Sequence, residues 1–171
     1  MNENKRKEKC LVLRKCIISL SEIYHDTATN DDQRGFMETM IGAAIWYLPN
    51  SDLWTGKISE EAHKLINKGT PVNKLTKEHE FPRKLAAKEV LSSELNNLIK
   101  SESRLFELYT NKYGKWNLVT SKENKNLGKF QKDTVFVSSN DSYAKAGIRL
   151  IEEDKSFLQK RFKQDNDGEW I

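Results

Sequence analysis

Strand-forming sequence is scarce in this 171-residue chain, and that scarcity limits what it can become. Val72 to His79 is weakly patterned by Val72 and Leu75, and Trp116 to Thr120 is a second short run. Residues 134–138, Thr-Val-Phe-Val-Ser, make a third. Elsewhere the apolar residues recur at helical spacing. The expected class is α+β, mostly helical: a helical N-terminal layer packed on a strand–strand–helix centre. No repeat or low-complexity linker interrupts the chain, so one domain over 1–171 is the simplest organisation. It divides into a helical part at 1–70, the centre at 71–132, and a C-terminal strand and helix extension at 133–171.

Residues 5–25 place Leu11, Leu13, Cys16, Ile17, Leu20 and Tyr24 near helical intervals. The polar break from Thr27 to Asp32 offers an N-cap. A second helix follows over about 32–48, with Met37, Met40, Ile41, Ala44, Ile45 and Leu48 on one face and Pro49 as its stop. These methionines, Trp46 and Trp54 read as core. Ser59 is placed to cap a short helix from Glu60 to Lys68, which Gly69 ends. Past Pro82, well suited to a first turn, Leu85, Val90, Leu91, Leu95, Leu98 and Ile99 mark a long helix. Leu105, Phe106, Leu108 and Tyr109 mark another over 102–112 that Gly114 ends. Ser121 is expected to cap a helix reaching Lys132, and further helices are expected at 141–151 and 153–163.

With 32% charged and 37% hydrophobic residues, the chain reads as a polar-surfaced globular protein. Its net charge of +4 is compatible with a polyanionic partner. No apolar run approaches the roughly 20 residues that cross a bilayer. The basic N-terminus is followed by Arg14, Lys15 and Glu22 rather than by an apolar leader. The expectation is a cytoplasmic protein with no membrane partner. Cys10 and Cys16 sit on different faces of one helix and do not bridge. Two cysteines also rule out a four-cysteine zinc knuckle. His25 and His63 read as structural, His25 beside the negative end of its own first helix.

The chemistry concentrates in two stretches. The first is Lys77-Glu78-His79-Glu80-Phe81-Pro82-Arg83, a carboxylate beside a histidine. The second runs from Asn117 through Leu-Val-Thr-Ser-Lys-Glu-Asn-Lys to Asn126-Leu127-Gly128-Lys129. Hydrolysis of a phosphodiester needs a nucleophile, charge neutralisation and a stabilised leaving group. A histidine near its ordinary pKa of about 6.5 takes a proton from water at neutral pH. One divalent cation neutralises the phosphate and the leaving oxygen. Lys112, Lys115, Lys122, Lys125, Lys129 and Lys132 crowd the second stretch, and Lys77, Arg83 and Lys84 flank the first, as phosphate neutralisation requires. Tyr113 offers a surface for base stacking, whereas Trp116 reads as core beneath its strand.

The order of these motifs resembles the HNH, or ββα-metal, nucleases, which include colicin DNases, restriction and homing endonucleases and the HNH domain of CRISPR effectors. The resemblance covers about 72–132. It implies that His79 is the general base, that Glu78 and Asn126 are metal ligands, and that Asn117 fixes the loop that orients His79. Lys77, Arg83, Lys122, Lys125 and Lys129 would then meet the nucleic acid. Members holding softer metals carry histidines where this chain has Asn126 and Phe130. The remaining oxygen donors suit Mg²⁺ or Mn²⁺. Departures are Glu78 in place of the commoner Asp, the missing zinc cysteines, and a long interval between His79 and Asn117 that implies an inserted helical pair.

The resulting expectation is a divalent-metal-dependent HNH endonuclease acting on double-stranded DNA, of a restriction or phage-defence type. A palindromic cutter of this kind would work as a homodimer, with the N-terminal helices as its interface. The alternatives are a non-catalytic nucleic-acid-binding protein on a ββα scaffold, and an RNase or toxin nuclease.

Overall fold

The computed structural model describes residues 2–132, 134–154 and 156–157. In chain order its elements are α1 (Asn2–His25), α2 (Asp31–Trp46), β1 (Trp54–Ser59), α3 (Glu60–Asn67), β2 (Thr76–His79), α4 (Arg83–Leu91), α5 (Leu95–Lys100), α6 (Arg104–Leu108), β3 (Trp116–Val119), α7 (Ser121–Leu127), α8 (Ser139–Lys145) and β4 (Leu150–Glu152). The chain is α+β and mostly helical. It forms two compact units, Met1–Leu53 with Phe81–Lys115, and Trp54–Glu80 with Trp116–Ile171. The helical stretch inserted between β2 and β3 therefore shares a unit with the N-terminal helices.

The first unit is helical. Cys10, Leu13 and Ile17 of α1 are buried with Ile41 and Ile45 of α2, Ala87, Val90 and Leu91 of α4, Leu98 of α5 and Leu105 of α6. Each leucine, isoleucine or valine among them contributes about 1.5–3 kcal/mol by leaving water. The buried face of α1 is rotated from the expected one, since Leu11 and Cys16 are exposed. On α2, Met37 is buried, but Met40 and Trp46 are about 40% exposed, so neither is a core residue. Asn30 caps α2 in a capping box: its Oδ1 accepts from Gln33 N at 3.0 Å, and Gln33 Oε1 accepts from Asn30 N at 2.9 Å. His25 does serve a helix end, but that of α4, its Nε2 lying 2.7 Å from Leu91 O.

The single long helix expected after Pro82 is two. It breaks at Ser92, whose φ of −132° and ψ of −91° leave the helical region. The helix expected over 102–112 tightens to α6 and passes into a π turn at Tyr109–Tyr113. Both tyrosines of that turn are buried, Tyr109 donating to Leu48 O at 2.8 Å and Tyr113 to Glu89 Oε2 at 2.7 Å. Tyr113 is thus not a stacking surface.

Gly114 follows the turn with an ordinary φ of −89°. A Cβ there would lie 2.7 Å from Leu53 Cδ1 and from the Tyr109 ring. Gly114→Ala is expected to cost about 1–3 kcal/mol through overpacking. Gly35→Ala, on α2 with only Lys84 Nζ at 4.0 Å, is expected to gain up to about 1 kcal/mol from helix propensity. Urea unfolding of the two variants measures both signs.

The second unit holds a mixed sheet of order β2-β3-β1-β4. β3 pairs antiparallel with β2 and parallel with β1, and β4 closes the other side antiparallel to β1. Only Thr76–His79 of the expected first strand is extended, because Val72–Lys74 winds into a 3-10 turn. β1 carried no strand pattern: Gly56 sits at φ +87°, and the register slips between Trp54 and Ile58. Residues 134–138 are not a strand. Val135 and Phe136 turn back on Lys132 O, and Val137 is 75% exposed, while the sheet position beside β1 belongs to β4. The helix expected at 141–151 ends at Lys145, Gly147 adopts φ +68°, and the chain then enters β4. Most of the helix expected at 153–163 lies outside the described residues.

α7 is also shorter than expected, stopping at Leu127 rather than Lys132. Its cap is Thr120, not Ser121: Thr120 is still extended, and its Oγ1 accepts from Glu123 N at 3.1 Å. Glu123 Oε2 accepts from Thr120 N at 2.9 Å and from Ser59 Oγ at 2.7 Å. One carboxylate thus ties the end of β1 to the start of α7.

Candidate active site

Antiparallel pairing of β2 and β3 sets Glu78 opposite Asn117 and His79 opposite Trp116. Neighbouring strand residues project to opposite faces. Glu78 and Asn117 therefore share one face, and Lys77, His79 and Trp116 share the other. β2 is the outer strand of the sheet.

On the first face lies a buried polar network. Glu78 is 2% exposed and Asn117 is fully buried. The Glu78 carboxylate accepts from Tyr143 OH and from Gln131 Nε2. Asn117 Nδ2 donates to Tyr143 OH at 3.0 Å and to Glu80 Oε1 at 3.3 Å, and its Oδ1 accepts from Thr55 Oγ1. The side-chain bonds of Asn117 thus run to this network rather than to His79. Burial, helped by the nearby Glu80 carboxylate, pushes the Glu78 carboxyl up to about 7 against hydrogen bonds from Tyr143 and Gln131 that favour its ionised form.

On the second face His79 is 7% exposed. Burial, and then the Lys77 charge, pushes its imidazole down to about 4, so it is neutral at pH 7. That is the protonation state a base needs, although a lower pKa makes a weaker base. Lys77 is itself pushed down to about 8 by burial, and its Nζ stands 4.9 Å from the Trp116 ring centroid. Trp116 is buried beside Trp54, with ring centroids 6.4 Å apart.

Asn126 stands on the last turn of α7. Its Nδ2 donates to Ala146 O at 3.0 Å, and its Oδ1 accepts from Lys129 Nζ at 3.2 Å. It shares no hydrogen bond with Glu78. Phe130 lies beyond the end of α7. Lys122, Lys125 and Lys129 are exposed, as is Arg83, whose guanidinium sits 5.8 Å from the Trp46 ring centroid. Lys112 is engaged with Glu89 at 2.7 Å. His63 faces Glu153 at 2.9 Å and the Phe157 ring, a structural setting.

The donors on the Glu78 face are hard oxygens, the kind Mg²⁺ and Mn²⁺ take. A carboxyl that burial keeps close to neutral is one that a cation would ionise. Asn126 would have to exchange Lys129 for the metal. Among the described residues, no three His, Cys, Asp or Glu side chains cluster as a metal site. Four residues of the network lie outside the residues that the motifs single out. Glu80 was detectable, since it stands inside the first stretch, one residue beyond the end of β2. Thr55, Gln131 and Tyr143 carried no local pattern. Compared with protein-family models, curated proteins and solved structures, the chain finds no match.

Proposed function

We propose that this chain is a divalent-metal-dependent endonuclease of the HNH type that hydrolyses DNA phosphodiester bonds. The observation that carries the reading is the pairing of Glu78 with Asn117 across two antiparallel strands, followed at once by a capped helix bearing Asn126. Strand, strand and helix bring Glu78, His79, Asn117 and Asn126 into one unit although a long helical stretch separates them in sequence, whereas Arg83 belongs to the helical unit.

In this reading Glu78 is the primary ligand for Mg²⁺ or Mn²⁺, with Asn126 completing the set after releasing Lys129. The bound cation supplies charge neutralisation at the phosphate and the leaving oxygen. Neutral His79 takes the proton from the attacking water. A phosphodiester beside His79 opposes the Lys77 field and raises the proton affinity of the imidazole during the reaction. Asn117 holds the carboxylate network in register. Lys122, Lys125 and Lys129 neutralise backbone phosphates. A restriction or phage-defence role on double-stranded DNA in the cytoplasm, with a homodimer for symmetric sites, fits this chemistry.

The engagement of Asn126 by Ala146 and Lys129 favours a second reading, a nucleic-acid-binding protein that does not cut. Plasmid nicking separates the two. Cleavage is expected with Mg²⁺ or Mn²⁺, lost in EDTA, with no stoichiometric zinc in the purified protein. Binding without nicking under any metal favours the second reading, and cleavage of RNA alone identifies an RNase. The lysines give an independent prediction. Lys125→Ala with Lys129→Ala is expected to weaken DNA binding and to lower the salt slope by roughly one unit for each phosphate no longer neutralised. An unchanged slope in a salt titration assigns both lysines to solvent.

A further inference from the structure

Both oxygens of the Glu78 carboxylate are held by neutral donors, one by the Tyr143 hydroxyl and the other by the Gln131 amide. No basic side chain pairs with Glu78 among the described residues, although it is 2% exposed and has Glu80 nearby. Neutral donors fix the orientation of a carboxylate without discharging it. An ionised carboxylate accepts at about four lone-pair sites, so two bonds leave it free to bind a cation. Tyr143 is 3% exposed and accepts from Asn117 Nδ2 at 3.0 Å while donating to Glu78. Its hydroxyl therefore has one orientation that serves both partners. Gln131 comes from the half-buried segment after α7, and Tyr143 from α8.

We propose that Tyr143 and Gln131 are positioning residues that aim the Glu78 carboxylate at a divalent cation, a role that rests on the nuclease reading above. They do not touch the reacting atoms and act only through Glu78. Partners of this kind typically account for about 10–100-fold in metal affinity.

The test is Mn²⁺ binding by the full chain without DNA, followed by electron paramagnetic resonance, for the wild type, Tyr143→Phe and Gln131→Leu. Each variant is expected to bind Mn²⁺ about tenfold more weakly or worse. The Mn²⁺ midpoint for plasmid cleavage moves by the same factor, with the maximal rate at saturating Mn²⁺ restored to within a few fold. A residue that merely fills space lowers the urea midpoint in EDTA and leaves the Mn²⁺ midpoint where it was. That result, whatever happens to the maximal rate, overturns the proposal. Should Tyr143→Phe not fold, Gln131→Leu at its half-buried site decides alone. A wild type that binds no Mn²⁺ overturns the nuclease reading and this proposal together, whereas tight binding by all three proteins overturns this proposal only.

Discussion

In EDTA at pH 8, Glu78→Gln is expected to be more stable than the wild type by on the order of 3 kcal/mol, while losing any metal-dependent cleavage. The carboxyl is raised to about 7 in the folded chain, with burial as the main cause, from an ordinary value of 4.5. Between those two values the folded state holds a proton that the unfolded state has lost. Stability therefore falls as pH rises through that window, and above it the buried carboxylate costs its full share. Each pKa unit is worth about 1.4 kcal/mol, which sets the magnitude. An amide at position 78 keeps the shape and loses the charge. The advantage of the variant should close below about pH 4.5, where both states of the wild type are protonated. Adding Mg²⁺ should close most of that gap, because a ligand bound only by the folded wild type stabilises it by about 2.7 kcal/mol at a hundred times its Kd. Urea melts at pH 4 and pH 8, with and without Mg²⁺, measure all three effects. A variant less stable than the wild type at pH 8 in EDTA would show that the carboxylate is settled in its network without a cation.

Helices announce themselves through local spacing and caps: Ser59 accepts from Ala62 N at 3.1 Å at the start of α3, as its position suggested. The paired strands β2 and β3 were legible from their flanking motifs. β1 and β4 were not, because their pattern is broken by Gly56 and shortened by Gly147, and pairing depends on partners far along the chain. The apolar run at 134–138 misled for the complementary reason, since β propensity without a partner edge does not make a strand. Among the candidate site residues, the sequence singled out Glu78, His79 and Asn117, and their division between two strand faces followed only from register. Tyr143 reaches Glu78 from 65 positions away. Separation on that scale leaves no local trace.

His79→Ala is expected to lower the cleavage rate by about 10²–10⁴-fold, the usual contribution of one general base. In the proposed mechanism the imidazole acts on water in the transition state and adds little to ground-state affinity for DNA. Its burial adds a complication: truncation next to Trp116 leaves a cavity, at a cost of up to a few kcal/mol. His79→Gln fills more of that space without supplying a base, so the pair of variants separates lost chemistry from lost packing. Neither changes Glu78, and both are expected to keep the Mg²⁺-induced rise in melting temperature. No metal concentration restores them, because the defect is proton transfer and not occupancy.

A metal-dependent cut made through His79 is decided by single-turnover cleavage of supercoiled plasmid across a Mg²⁺ titration, with the wild type, His79→Ala and His79→Gln side by side. Wild-type cleavage is expected to vanish in EDTA, and both variants are expected to cut at least about 10²-fold more slowly at every Mg²⁺ concentration. Near-wild-type cutting by either variant, or wild-type cutting that survives EDTA, would contradict the assignment.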